Sequence, residues 1–295
     1  MLRPAPAAAP IPVVQGLEAL LDGCDGIILD VWGVVHGGVQ PYPGVLDALS
    51  RLRARGLPVG LLSNAPRRHG PAAERLARLG VARDRYDVLV TSGELTRTWL
   101  ADEGSGLGRR CLYVGPDADA ELIQDMPIEC VENVGEADFL LVTGFPDESL
   151  PVASFDPLLR PAAARGVTLV CANPDRHIRR QGAGLAPCAG AIAERYAGFG
   201  GPVVTFGKPD PAAFRACGRA LDLPDDAEVL MVGDSLETDI KGALAAGMTA
   251  VLVTRGVHAD ELGVAPGEAP DPAAVAQLCA AYGLAPAAAL PTLVW

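Results

Sequence analysis

Ile27-Ile28-Leu29-Asp30-Val31-Trp32-Gly33-Val34-Val35-His36 is an apolar run that carries one carboxylate and then a glycine. Such a run reads as a buried parallel strand that delivers Asp30 to the carboxyl edge of a sheet, where α/β proteins place their ligands. No polar residue precedes Asp30 in the run to pair with it. A carboxylate there is costly unless a cation or hydrogen-bond donors meet it, so segments elsewhere in the chain must supply them.

Outward from this strand the pattern alternates. Pro41-Tyr42-Pro43-Gly44 turns the chain into an apolar-periodic helix over 45–55, and the run 57–62 gives a second strand ending in Ser63-Asn64. A helix near 72–79, a strand over 88–92 and a helix near 94–100 continue the alternation of a parallel sheet covered by helices. Residues 102–108 are polar and glycine-rich. They read as a linker, because their Gly-x-Gly pattern follows a helix where a nucleotide loop needs a strand.

A second α/β unit is expected, with strands at 111–114, 139–143 and 167–172. The strand 203–206 reads as the return to the first sheet, followed by a helix over 211–221 and strands at 228–232 and 249–254, with a helix near 238–246 between them. The expected division is a core over 1–102 and 201–295, interrupted by an α/β insert over 103–200. A helix over 273–282 follows. The apolar end 290–295 packs either on this core or on another subunit.

A chain of 295 residues, 49% hydrophobic and 20% charged, has room for a large core and two domains. Its formal charge of -12 argues against a general nucleic-acid or anionic-membrane binder and leaves small molecules as the expected partners. Seven cysteines, scattered and never spaced Cys-x-x-Cys, suit reduced thiols in a cytoplasm. Residues 1–15 are interrupted by Pro4, Pro6, Pro10 and Pro12, so they read as a flexible arm and carry no evident secretion signal. No run approaches the roughly 18 apolar residues of a membrane span.

Gly233-Asp234 follows the apolar strand Leu230-Met231-Val232, so Asp234 is expected at a strand end as Asp30 is. Two carboxylates at one sheet edge attract a hard cation, and Mg²⁺ suits them better than a Ca²⁺ cage or a Cys/His zinc site. Asp239 either orients the water around that ion or caps a helix. Lys208, in Phe206-Gly207-Lys208-Pro209, follows a strand directly. Lys208 and Lys241 are the only lysines, so a chain that otherwise uses Arg has placed a compact point charge here, whereas Lys241 reads as solvated. Ser63 and Asn64 as donors, Lys208 as fixed charge and Asp234 as metal ligand are what phosphoryl transfer to Asp30 requires.

These four segments, in this order, resemble the haloacid dehalogenase superfamily of aspartate-nucleophile phosphatases. Asp30 matches the first motif, Ser63-Asn64 the second, Lys208 the third, and Gly233-Asp234 with Asp239 the fourth. The insert, with Cys171-Ala172-Asn173-Pro174-Asp175 and Gly184-Leu185-Ala186-Pro187-Cys188-Ala189-Gly190, resembles the cap of the NagD-like class IIA branch, which includes sugar-phosphate, nitrophenyl-phosphate and pyridoxal-phosphate phosphatases. The resemblance implies a Rossmann-like parallel-sheet core with an α/β cap. It further implies Mg²⁺ held by Asp30, the Trp32 carbonyl and Asp234, with Asp239 and Ser235 beside it. The expected substrate is a small phosphorylated metabolite, sugar-phosphate or nucleotide-like, and a homodimer through the cap is the expected assembly.

One departure matters. Members of the family usually carry a second Asp two residues after the nucleophile, to protonate the leaving group, and here that place is Trp32. An indole cannot do this work, and general acid catalysis is typically worth about 10² to 10⁴ in rate. Asp-Val-Trp-Gly-Val followed by His36 nevertheless resembles a bacterial subgroup of this class. His36 either takes over the proton role or lines the entrance. Relatives lacking the second Asp include dehalogenases, but those keep no metal motif, and Asp234 with Asp239 speaks for a metal. The resemblance places a substrate loop at Asp175-Arg176-His177-Ile178-Arg179-Arg180, which favours an additional anionic group or is a solvated basic turn. His69 and His258 have no partner visible in the sequence. Two functions stand: a Mg²⁺-dependent phosphatase, and a non-enzymatic module that binds a phosphorylated ligand at the same residues.

Overall fold

The structure is a computed structural model that describes residues 10–102, 106–182, 184–265 and 267–295. In chain order the strands begin with β1 (Gly26–Asp30), β2 (Val59–Ser63) and β3 (Val88–Thr91). The middle of the chain holds β4 (Arg110–Val114), β5 (Glu129–Cys130), β6 (Phe139–Val142), β7 (Thr168–Cys171), β8 (His177–Arg180), β9 (Gly184–Pro187) and β10 (Val203–Thr205). The last third adds β11 (Val229–Gly233), β12 (Thr249–Val253) and β13 (Ala288–Leu290). Part of the expected linker, 103–105, and most of the N-terminal arm, 1–9, lie outside the described residues.

The chain divides into two compact units. The first comprises residues 1–61, 81–88 and 214–295, and the second 62–80 and 89–213. The first contains most of a six-stranded sheet of order β13-β12-β11-β1-β2-β3. β1 and β11 are fully buried and flank each other in parallel, with Leu29 opposite Val232. Strands buried on both faces need unbroken apolar sequence, which Ile27-Ile28-Leu29 and Leu230-Met231-Val232 provide. The register sets Asp30 level with Gly233, one residue before Asp234.

Two sequence expectations about the ends resolve within this unit. Residues 12–14 do not trail as an arm: Val13 bridges Ala289 in parallel, and the Val14 N–H donates to the Ala289 carbonyl at 2.9 Å. The C-terminal end packs on the same core. Leu293 is fully buried, and at Gly16 a Cβ would stand 2.3 Å from the Trp295 carbonyl oxygen.

The second unit is a five-stranded parallel sheet, β10-β7-β6-β4-β5, and the antiparallel hairpin β8-β9. Its core gathers Leu140, Val142, Leu169 and Cys171 from the strands with Leu159, Ile192 and Tyr196 from the helices Asp156–Ala164 and Ala189–Gly198. The strand at 203–205 corrects the sequence reading. It pairs with β7, Val203 opposite Leu169, and does not rejoin the first sheet. Three residues, Val203-Val204-Thr205, carry too little pattern to name their partner strand. No helix among the described residues is long and apolar enough to cross a membrane.

Candidate active site

The residues expected at the site from the sequence fall into two groups, one within each unit. In the first, Asp30, Asp234 and Asp239 place one carboxylate oxygen each within 4.8 Å of one another, and all three side chains are buried. Asp30 arrives on β1. Asp234 follows β11 and enters the π-helical turn Leu236–Ile240, whose N-cap, Ser235, accepts the Thr238 N–H at 3.3 Å. The cap role thus falls to Ser235. Asp239 turns back instead, its Oδ2 accepting the N–H groups of Asp234 and Ser235, each at 3.0 Å.

The main chain fits tightly around these carboxylates. Asp234 Oδ2 accepts the Val257 N–H at 3.0 Å. A Cβ added at Gly33 would stand 2.0 Å from that oxygen, and one at Gly256 1.9 Å from it. At Gly233 the added atom would meet the Asp239 Cβ at 2.1 Å. Only hydrogen fits at these three positions, and Gly33 has φ +92° besides. A set of three carboxylates with no thiol or imidazole is the donor chemistry of a hard divalent cation, and such an ion relieves the repulsion of the packed charges. The group therefore fits Mg²⁺.

His258 is one of the two histidines that the sequence left unassigned. It is buried, its Nε2 accepts the Leu236 N–H at 3.1 Å, and its Nδ1 lies 2.6 Å from Glu261 Oε1. Accepting at Nε2 puts the proton on Nδ1, which donates to Glu261. The imidazole so pins the turn that carries Asp239. Its one readable signal is the i,i+3 spacing to Glu261; the bond to a backbone amide 22 positions earlier leaves none.

Trp32 packs edge-on against His36, ring centroids 5.3 Å apart, and lies so close to Gly38 that a Cβ there would stand 2.8 Å from the indole. His36 is buried and its Nδ1 accepts the Gly38 N–H at 3.1 Å. Protonating Nδ1 would break that bond, which favours the lining reading of His36 over the proton role.

In the second unit Ser63 is buried and its Oγ accepts the Ala65 N–H at 3.2 Å. The Asn64 amide donates to Asp175 Oδ1 at 2.8 Å and to the Lys208 carbonyl at 3.0 Å, and accepts the Lys208 N–H at 2.8 Å. Both amide hydrogens are engaged, so the expectation of Asn64 as a substrate donor gives way to a clamp that fixes the Lys208 backbone. Gly207 lets it close, since a Cβ there would stand 2.5 Å from Asn64 Oδ1. Lys208 is buried. The helix Ser92–Ala101 braces the same loops: Ser92 Oγ donates to the Ala65 carbonyl at 3.1 Å, and Thr91 Oγ1 to the Arg67 carbonyl at 2.6 Å.

Asp175 thus joins Asn64 and Lys208, whereas Arg176 and His177 are exposed. Arg176 pairs with Glu194 at 3.3 Å, and His177 lines an open cavity of about 720 Å³ with Phe145, Val152 and Leu185. Lys241 is exposed, as expected, and His69 pairs with Glu94 at 3.1 Å. Burial pushes the Cys111 and Cys171 thiols up to about 12, in keeping with cysteines that fill the core.

The haloacid dehalogenase-like hydrolase family matches residues 27–129, and a HAD-hydrolase-like family matches 205–281. The chain is 33% identical to D-glycerol 3-phosphate phosphatase of Mycobacterium tuberculosis over 82% of its own length and 66% of that protein's. With the ribonucleotide monophosphatase NagD of Escherichia coli K12 the identity is 29%, over 78% of this chain and 88% of NagD. A solved structure of a haloacid dehalogenase-like hydrolase from Brucella suis 1330 superposes with a TM-score of 0.82 at 33% identity, covering 95% of this chain and all of that one. The chain belongs to the haloacid dehalogenase-like hydrolases, in their NagD-like class IIA branch.

Proposed function

We propose that the chain hydrolyses phosphate monoesters of small metabolites through an aspartyl-phosphate intermediate on Asp30, in the cytoplasm and with Mg²⁺. The observation that carries this is the buried trio Asp30, Asp234 and Asp239 at the carboxyl ends of β1 and β11. The phosphatases named above support the reaction class.

An Asp30 carboxylate oxygen attacks phosphorus, the bond from phosphorus to the ester oxygen breaks, and the alcohol departs. Water then attacks the same phosphorus and releases inorganic phosphate, restoring the carboxylate. Mg²⁺, held by Asp30, Asp234 and the Trp32 carbonyl, would neutralise charge on the phosphoryl oxygens. Ser63 donates to those oxygens and Lys208 adds a fixed positive charge, its backbone held by Asn64. Asp239 and Ser235 keep Asp234 in place. Asp175, Arg176 and His177 are proposed on the substrate's far side.

With Trp32 in the usual acid's position the leaving oxygen takes its proton from water, and the rate depends steeply on how stable that oxygen is as an anion. Aryl and acyl phosphates should therefore outpace alkyl phosphates. The test is phosphate release from nitrophenyl phosphate and a panel of phosphorylated metabolites with Mg²⁺, by wild type, Asp30→Asn and Trp32→Asp. Turnover in the wild type and a loss of about 10⁴-fold or more in Asp30→Asn is the expected result. Release by Trp32→Asp alone would overturn it in favour of a module that binds a phosphorylated ligand without cleaving it.

A further inference from the structure

Two cysteines that look unrelated in the sequence stand side by side in the second unit. Cys111 on β4 pairs in parallel register with Cys130 on β5. The Val131 N–H donates to the Cys111 carbonyl at 2.9 Å and the Glu129 N–H to the Arg109 carbonyl at 2.8 Å, so the ladder holds on either side of Cys130. Opposite residues of neighbouring strands lie roughly 4.8 Å apart, inside the range of about 4.4 to 6.8 Å between Cα atoms that a disulfide spans.

Both side chains leave the same face of the sheet. Cys111 packs with Leu122, Phe139 and Leu141, and Ile128, two residues before Cys130, joins that cluster. Val131, next to Cys130, packs on the opposite face with Leu112 and Leu140. Alternation along the strand therefore puts Cys130 on the side of Ile128 and Cys111. The Cβ atoms of a disulfide are about 3.8 Å apart, so Cys130 has to move in by roughly 1 Å. β5 can yield that much, being two residues long and the edge of its sheet. Cys171, on the inner strand β7, has Val142 and Thr205 opposite it instead.

The two thiols differ in access. Cys130 is exposed, whereas Cys111 is fully buried, and burial, then the charge of Cys130, pushes the Cys111 thiol up to about 12. Cys130 is the sulfur that a reagent reaches, and Cys111 stands behind it.

We propose that Cys130 and Cys111 form a reversible oxidation site, closed to an intramolecular disulfide by a low-molecular-weight disulfide. The Cys130 thiolate attacks one sulfur of the reagent, whose S–S bond breaks and expels a small thiolate. The Cys111 sulfur then attacks Cys130 Sγ and displaces the second small thiolate. The protons of the two protein thiols end on the two small thiols, so the protein is oxidised by two electrons and the reagent reduced by two. The bond staples the edge strand β5 to β4.

The test is equilibration of the full chain with mixtures of oxidised and reduced glutathione, in native buffer and in urea. Acid quenching, alkylation of free thiols and mass spectrometry of the peptides then read the products. The expected result is a peptide pair joined through Cys111 and Cys130, with an oxidation constant at least about tenfold larger in buffer than in urea, because the fold favours a bond that fits it. In Cys111→Ser, Cys130 should stop at the mixed disulfide with glutathione, and in Cys130→Ser, Cys111 should stay reduced. A ratio of one or less overturns the site, as does a wild type whose Cys130 stops at the mixed disulfide or links to a second chain. The wild-type arm needs no variant to fold.

Discussion

The two units hold their functional residues by opposite means. In the first, main chain holds side chain: amides of Val257, Asp234 and Ser235 grip the carboxylates, and Gly33, Gly233 and Gly256 close around them. In the second, side chain holds main chain: Asn64 clamps the Lys208 backbone, Ser92 ties the Ala65 carbonyl, and Thr91 ties that of Arg67. The difference says where each region is vulnerable. Carboxylates repel and must be fixed by groups that a neighbouring mutation cannot remove, whereas a loop bearing cations needs only its path defined.

The contrast should break most visibly at glycine. Gly33→Ala puts a methyl 2.0 Å from Asp234 Oδ2 and forces a left-handed φ on a residue with a Cβ. Moving a reacting group by about 1 Å costs on the order of 10²-fold in rate, so activity should fall at least that far, with the Mg²⁺ midpoint shifted upward in a metal titration. Asn64→Ala should act on stability as much as on rate. It removes three hydrogen bonds and leaves the buried Lys208 amide and carbonyl short of partners, a loss of about 2–4 kcal/mol readable by urea titration.

The next effect sharpens the comparison, because His258 is a side chain of the first unit that holds main chain beside the carboxylates. His258→Phe keeps the ring's bulk but leaves the Leu236 N–H without its acceptor. Supporting residues of this kind are worth roughly 10- to 100-fold in metal affinity or activity, and His258→Gln, which restores an acceptor, should recover part of the loss. The smallest effect lies away from both sites. Burial raises the Asp87 pKa, but hydrogen bonds from the Val59 amide and Arg53 outweigh it and hold the carboxyl below its ordinary value. The charged form is thus the stabilising one. Asp87→Asn should cost about 0.5 kcal/mol at pH 7, an amount discounted for solvent exposure, and the difference in thermal midpoint should vanish as the pH falls below 3.8.

What the sequence disclosed, and what it hid, follows the range of the interactions. Asp30 and Asp234 were legible because each ends an apolar run, and burial on both faces of a strand writes itself as consecutive residues. Asp239 was legible as a neighbour, though its bond to the Asp234 and Ser235 amides was not. The partner of Val203-Val204-Thr205 was hidden, because a strand of three residues looks alike in either sheet. So was the clamp: an amide beside a hydroxyl suggests two donors, and only the fold shows that Asn64 spends its amide on a residue 144 positions later.

The pairing of Gly26 with Val229 has a consequence for how the molecule is made. β1 leaves the ribosome early, but its neighbour β11 is synthesised about 200 residues later. Closing a loop of that length costs about 5 kcal/mol of chain entropy. The second unit, by contrast, draws all its strands from one continuous stretch of chain. During synthesis it has its strands in hand while the edge of β1 still waits for a partner. Chaperones or fast synthesis of the last third should therefore matter more to the yield of active protein than the stability of the finished fold would suggest.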